Sequence, residues 1–547
     1  MRNGSRRTTL TRRDVIVGGL GATAAAGIAT VATWPSPAPG AQHHRFQHGV
    51  ASGDPLPTAV VLWTRITPIP GARPGSGRGG STAVTWQVAA DPAFARLVRS
   101  GSVRSDPARD HTVKIDASGL QPGTTYFYRF VSGPDVSPVG RTRTAPAADS
   151  SPERLRFGVV SCANWQAGHF SSYRHLASDD LDAVIHLGDY LYEYEPGKYS
   201  YGHDQQDVRR HDPPREIRTL EDYRRRHAQY KTDPDLQALH ATAPFIATWD
   251  DHEVADGWWP GGAFEQDDAQ DGPWRSRRAA ALKAYDEWMP VRLSGTARAG
   301  DGVRIFRSLR FGDLAEITML DLRSYRDERV DVGAPALDDG SRSITGRAQH
   351  GWLVDRLTST SARWKLVGNP VMVAPMLMPP RPQADQVALK DTTDPMSWGS
   401  AEPNTDEWDG YPLDRRALLA RIAEEGVEDV VFLSGDVHTA WANEVVHEGR
   451  PVATELVCAS VTSNNVDDFM GTEPRTVSVA IESAITALNP HVRFVNLDDH
   501  GHSVVELTPT ETRMEWHAIS DRRDPRASSR LLAARRVRTG SARLLPT

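Results

Sequence analysis

The chain has 547 residues, with 63 basic and 70 acidic side chains and a formal net charge of −7 at pH 7. That balance carries no electrostatic footprint for nucleic acid, so no nucleic-acid-binding role is expected, and the length exceeds one ordinary domain. Only two cysteines occur, Cys162 and Cys458, which excludes a disulfide-rich scaffold.

At the N-terminus, Thr11-Arg12-Arg13-Asp14-Val15-Ile16-Val17 has the twin-arginine pattern, and a weakly apolar Gly/Ala-rich run follows as far as Thr33. Its flanks fit an export signal better than a membrane anchor, and Pro35, Pro37 and Pro39 exclude helix around a cleavage point between Thr33 and Gln42. Residues 1–42 therefore read as a signal peptide and Pro-rich leader. The mature protein is expected to be secreted, extracellular or cell-wall associated, through the twin-arginine export machinery. It should have no stable membrane span, and a monomer is the default. Export in the folded state suits an enzyme loaded with its cofactor before it leaves the cytoplasm.

Residues 43–145 read as a small all-β domain. Thr58 to Ile66, Ser81 to Ala90, Leu97 to Val103 and His111 to Ile115 are β-rich runs punctuated by Gly, Pro and Asp. Leu120-Gln121-Pro122-Gly123-Thr124-Thr125-Tyr126-Phe127-Tyr128-Arg129-Phe130 resembles the tyrosine-corner strand of fibronectin type III domains. Trp63 and Trp86 are read as core residues. The Ala/Pro/Ser-rich stretch from Ala145 to Pro152 is a linker.

Residues 154–520 alternate apolar strands with helical stretches such as Leu220 to Tyr230, Ala279 to Trp288 and Leu413 to Glu425, which predicts an α/β layered domain. Arg224, Arg225 and Arg226 read as a solvated helix face. The polar segments Tyr201 to Pro214 and Gly261 to Gly272 read as insertions over the site. The Arg-rich stretch 521–547 is expected to be a mobile tail that could cover the site.

Three clusters at strand ends carry the chemistry. They are His186-Leu187-Gly188-Asp189-Tyr190-Leu191-Tyr192, Ala247-Thr248-Trp249-Asp250-Asp251-His252-Glu253 and Ser434-Gly435-Asp436-Val437-His438. Each follows an apolar run, where α/β proteins place their functional loops. Cys162 ends a fourth such run, Leu155 to Ser161, and this makes it a ligand candidate, although one disulfide is the ordinary expectation for an exported chain.

The donor types divide in two. Asp189, Asp251 and Asp436 are hard oxygen donors; Cys162, Tyr192 and His438 are softer or more polarisable. One ion would rarely want both sets, whereas two different metals would. Asp189 could bridge them. A phenolate at Tyr192 favours a strongly Lewis-acidic ion such as Fe(III). Glu253 is expected to cap a helix or to bond a histidine.

The order Cys-Ala-Asn-Trp-Gln, Gly-Asp-Tyr-x-Tyr, Trp-Asp-Asp-His-Glu-Val and Gly-Asp-Val-His closely resembles the PhoD-like alkaline phosphatase/phosphodiesterase family. That family is related to purple acid phosphatases and calcineurin-like phosphoesterases. The resemblance implies a layered metallophosphoesterase β-sandwich flanked by helices, preceded by a fibronectin-III/Ig-like domain. It implies hydrolysis of phosphomonoesters and phosphodiesters, with Fe(III) held by Cys162, Asp189, Tyr192 and His438. One or two Ca²⁺ would be held by Asp189, Asp251 and Asp436, with a bridging oxide or hydroxide between the ions. His252 is the candidate for contacting the phosphoryl group or protonating the leaving oxygen. Arg323 is a candidate phosphate contact, with a salt bridge to Asp321 or another carboxylate as the alternative. Asn164 and Trp165 are candidates for shaping the pocket.

Two other readings compete. One is a cysteine hydrolase with Cys162 as nucleophile and His438 as base, which leaves three acidic clusters unexplained. The other is a non-catalytic cell-surface binding protein, which leaves the full ligand set unexplained.

Overall fold

The computed structural model describes residues 45–293, 304–331, 334–377 and 404–547. The expected export signal and cleavage point lie outside the described residues. The N-terminal stretch forms β1 (Val50–Leu56), β2 (Ala59–Arg65), β3 (Ala83–Ala89), β4 (Leu97–Arg104), β5 (Thr112–Ser118), β6 (Thr125–Ser132), β7 (Asp135–Val136) and β8 (Gly140–Arg143). It continues into β9 (Leu155–Val160), β10 (Ala183–His186), β11 (Phe245–Ala247), β12 (Arg307–Phe311), β13 (Ala315–Met319), β14 (Trp364–Gly368) and β15 (Val430–Ser434). The last strands are β16 (Ala440–His447), β17 (Arg450–Val457), β18 (Val492–Asn496), β19 (Gly501–Leu507), β20 (Glu511–Ile519), β21 (Ser529–Arg538) and β22 (Leu544–Pro546).

Two large mixed sheets face each other. The first runs β22-β21-β20-β19-β9-β10-β11-β1-β2-β5 and the second β12-β13-β14-β15-β17-β16-β18. β9, β10 and β11 are parallel neighbours in the first, and β13, β14 and β15 in the second. Side chains alternate along each strand. Phe157, Val159, Ile185 and Ile246 therefore point into a core shared with Ile317, Leu366, Val431 and Leu433 of the other sheet. Val160, Val184 and Phe245 point the opposite way, onto the helices Ser171–Ala177, Pro234–Thr242 and Trp274–Trp288. The helices Gly346–Ser359 and Pro412–Glu424 cover the far face of the second sheet through Leu353, Leu357, Leu418 and Ile422. The result is a helix–sheet–sheet–helix stack in which strands buried on both faces read as continuous apolar runs.

The N-terminal strands do form two layers, but one layer is continuous with the large sheet. β1 lies parallel to β11, with Gly53 opposite Phe245. The approach there requires glycine: an added Cβ at Gly53 would meet the carbonyl oxygen of Pro290 at 1.9 Å and that of Phe245 at 2.8 Å. β3, β4, β6, β7 and β8 make the second layer, packed through Val60, Leu62, Val84, Val88, Tyr128 and Phe130. The Tyr126 hydroxyl accepts a hydrogen bond from the Gln121 backbone N–H at 2.9 Å, which closes the corner. Trp63 is buried against Ala228 and Trp288, and Trp86 packs, partly buried, against the core between the two layers.

Two expectations from the sequence are corrected here. The 521–547 stretch is not a loose tail. β21 pairs along β20 from Glu511↔Arg538 to Ile519↔Ser529, and β22 pairs with β21. Ala534 and Val537 are buried while Arg530 and Arg536 reach Asp499 and Glu511, so a strand pattern was hidden beneath the arginine count. Nor are Arg224 and Arg226 part of a solvated face, although Arg225 between them reaches the exposed Asp212. Their helix Leu220–Tyr230 is wedged against the helix Trp274–Trp288 and the 211–215 loop. Arg224 pairs with Glu287 at 2.7 Å, and buried Arg226 donates to the carbonyls of Tyr192, Pro213 and Arg215.

Candidate metal centre

All six expected ligands and His252 converge at the C-terminal ends of parallel strands from both sheets. Cys162 follows β9, Asp189 and Tyr192 follow β10, Asp251 and His252 follow β11, and Asp436 and His438 follow β15. Every one of them is buried. Cys162, Asp189, Asp436 and His438 all have positive φ, between 55° and 65°. Non-glycine residues hold that conformation at a cost, so four strained backbones at four candidate ligands mark a functional site.

Donor atoms of Cys162, Asp189 and His438 lie within 4.8 Å of one another, and so do those of Asp189, Asp250, Asp251 and Asp436. Asp189 belongs to both groups, as a bridging ligand must. The Tyr192 hydroxyl donates to Asp189 Oδ2 at 3.0 Å and lies 3.2 Å from His438 Nε2, which places it in the first group. His438 Nδ1 is engaged by the carbonyl oxygen of Asn464 at 2.8 Å, leaving Nε2 for a ligand.

The charge state of this cluster calls for cations. Asp189 Oδ1, Asp250 Oδ2 and Asp436 Oδ2 are buried with no hydrogen-bond partner, a costly condition for a carboxylate. Burial and then mutual repulsion push Asp436 well above the usual carboxylate range, and burial drives Asp189 the same way despite His252. Burial, then the Asp189 charge, also raises the Cys162 thiol and the Tyr192 phenol. Both therefore need a bound cation to ionise as ligands. The donor set fits two metals: hard oxygens on one side, and a sulfur, a phenol and an imidazole on the other.

The structure bears on three further readings of the sequence. Cys162 and Cys458 are free thiols, each within hydrogen-bond reach of the intervening Ser161 hydroxyl, at 3.0 and 3.4 Å. Arg323 is fully buried among the carboxylates of the cluster. It donates to Asp250 at 2.5 Å and lies 2.8 Å from Asp406, with Asp251 and Asp436 at 3.7 and 3.9 Å. It therefore makes the salt bridge to another carboxylate that was the alternative to a phosphate contact. Glu253 neither caps a helix nor touches a histidine: it accepts the backbone N–H groups of Asp189, Tyr190 and Asp250 at 3.1, 2.6 and 2.8 Å.

Asn164 donates to the carbonyl of Tyr199, and Trp165 packs on Phe170 and Tyr230 with Arg209 over its ring. Both support the walls rather than the floor. Tyr199, just before the Tyr201 segment, stacks on Tyr192, and Tyr194 and Tyr199 flank His252.

Sequence reasoning missed Glu193, whose Oε2 lies 2.8 Å from His252 Nδ1, along with Asp406 and Glu407. No strand or motif flags the last two. Asp250, by contrast, was visible as half of an Asp-Asp pair.

The model of the PhoD-like phosphatase family matches residues 157–516, and that of its N-terminal domain matches residues 32–146. The chain belongs to the PhoD-like phosphatase family. Alkaline phosphatase D of Bacillus subtilis (strain 168) is 34% identical over 508 residues, covering 90% of this chain and 80% of that protein. A solved structure described as that of PhoD superposes with a TM-score of 0.82 at 33% identity, covering 93% of each chain. As a member of this family the chain is a hydrolase of phosphoester bonds. Its α/β architecture of mixed sheets flanked by helices is that of the matched structure.

Proposed function

We propose that the chain is a secreted phosphoesterase that cleaves both phosphomonoesters and phosphodiesters, with a bias to diesters, at a mixed Fe(III)/Ca²⁺ centre. The observation that carries the reading is the division of donors into two groups that share Asp189. Cys162, Asp189, Tyr192 and His438 would hold the iron; Asp189, Asp251 and Asp436, with Asp250 beside them, would hold calcium. Bound there, the ions would supply Lewis-acid charge for the phosphate oxygens and activation of the nucleophile.

The residues of the chain do the rest. Glu253 fixes the loops bearing Asp189 and Asp250 by their backbone N–H groups. Arg323 offsets part of the carboxylate charge from behind. Glu193 holds His252 by Nδ1, and Nε2 lies 4.0 Å from Asp251 Oδ1. Burial alone would lower the His252 pKa, but Asp251, Glu193 and Asp189 together raise it well above the ordinary value. The Glu193 carboxylate at Nδ1 favours the protonated ring, and this suits His252 to serve as proton donor to the leaving oxygen.

A ligand role is the second reading for His252, because Asp189, Asp251 and His252 also offer donors within 4.8 Å. His252→Ala separates the two: a proton donor is lost with metal content intact, a ligand with metal depleted. The cysteine-hydrolase reading leaves the acidic group of Asp189, Asp250, Asp251 and Asp436 without a role.

The closed Tyr126 corner supports a fibronectin-III-like reading of 43–145, ahead of a catalytic region at 154–520. The twin-arginine pattern at Arg12-Arg13 supports export. Turnover of a model monoester and a model diester by the metal-loaded protein tests the function. Activity on both, higher on the diester, is expected; strictly monoester turnover removes the diester bias.

A further inference from the structure

We propose that Arg522 is a positioning residue for the metal centre: it clamps the 462–464 segment, which in turn holds Cys162, Tyr192 and His438 in register. The inference rests on the proposed reading of those three residues as ligands.

Arg522 follows β20 and is buried, although it belongs to the stretch that reads from sequence as a tail. Its guanidinium fork spans the segment. Nη1 donates to the Thr462 carbonyl at 2.5 Å, and Nη2 donates to Asn464 Oδ1 at 2.8 Å. Asp468 balances the charge at 2.8 Å, and the Tyr201 ring lies beneath the fork, 4.6 Å from its carbon.

What the clamp holds touches each softer ligand. The Asn464 carbonyl engages His438 Nδ1 at 2.8 Å. The Ser463 hydroxyl is 2.7 Å from the Tyr192 hydroxyl and 3.0 Å from the Cys162 carbonyl. The backbone N–H groups of Thr462 and Ser463 both donate to that carbonyl at 3.3 Å. The Arg522 carbonyl accepts from His169 N–H at 2.7 Å, so the residue also grips the loop that begins at Cys162.

A planar fork is needed here. Lysine keeps the charge opposite Asp468 but cannot present two parallel donors in fixed geometry. Outer partners of metal ligands set ligand orientation, and their loss typically costs about ten- to a hundredfold in metal affinity or activity.

Arg522→Lys and Arg522→Ala, compared with wild type and with Arg526→Ala as an exposed control in the same segment, test this. Each metal-loaded protein is challenged with graded chelator. Retained iron, visible phenolate-to-iron absorption, and kcat and KM on a model phosphodiester are then measured.

The expected result is iron lost at about ten- to a hundredfold lower chelator in both Arg522 variants, with a shifted absorption band. kcat should fall by a similar factor while KM stays within about twofold, and Arg526→Ala should match wild type. A folded Arg522→Lys with wild-type iron retention, band and kcat overturns the proposal, and it decides the question if Arg522→Ala does not fold. Wild type that carries no iron refutes the underlying reading of the site, an outcome distinct from a wild-type-like variant.

Discussion

Glu193 Oε2 lies 2.8 Å from Nδ1 of His252, with both side chains buried and the imidazole stacked on Tyr192 at 4.1 Å between ring centres. The carboxylate fixes the ring so that Nε2 is turned toward Asp251. Glu193→Gln keeps the shape and removes the charge. Losing an anion that favours the protonated ring lowers its pKa, so the alkaline limb of kcat should move to lower pH. kcat should fall about ten- to a thousandfold with KM little changed, as read from full pH–rate profiles.

Glu253 is the structural counterpart. Its carboxylate satisfies three buried backbone donors on two ligand loops. Glu253→Ala orphans them, at about 1–3 kcal/mol for each group that water cannot reach. Denaturant unfolding of the metal-free protein should show a loss of at least about 3 kcal/mol. A change under about 1 kcal/mol would mean that the loops hold their shape without it.

Lys231 gives the stability of the protein a slope with pH. It is buried with no carboxylate partner. Its ammonium donates to Tyr190 Oη at 3.1 Å and lies 3.2 Å from His240 Nε2 and 4.6 Å from the Trp63 ring centre. Burial lowers its pKa from 10.5 to about 7. Above pH 7 the folded state releases a proton that the unfolded chain keeps until about 10.4, so stability rises across that window and levels off beyond it. Below pH 7 both states are charged and the burial cost is constant. The gain is on the order of 3–5 kcal/mol. Melting temperatures of wild type should climb between pH 7 and 10 more steeply than those of Lys231→Met.

Cys162→Ser addresses the softer half of the centre. Serine is a poor substitute for a thiolate, so iron should be depleted while calcium stays bound to Asp251 and Asp436. Elemental analysis of the purified variant checks this; full iron with abolished turnover would favour a cysteine nucleophile instead.

The strand ends that gather the candidate ligands were legible in sequence, and the reason is local. Each ligand loop follows a strand buried on both faces, so Ala183 to Leu187 or Val430 to Leu433 announces its end unambiguously. What could not be read was long-range. Arg226 looks like one of three surface arginines until its helix is wedged against the loop at Pro213. Arg522 looks like part of a basic tail until Thr462 and Asn464 come within reach of it. Glu193 lies only one residue beyond Tyr192, but its partner His252 comes from the next strand. In each case a charged residue is buried by partners distant in sequence, which neither periodicity nor composition displays.

A mixed metal site is tested by mass-spectrometric metal analysis of protein exported natively and never exposed to chelator. Iron at about one per chain is expected, together with calcium at about one or more. Zinc or manganese in their place would contradict the assignment of Cys162 and Tyr192, and absence of bound metal would contradict the metal centre itself.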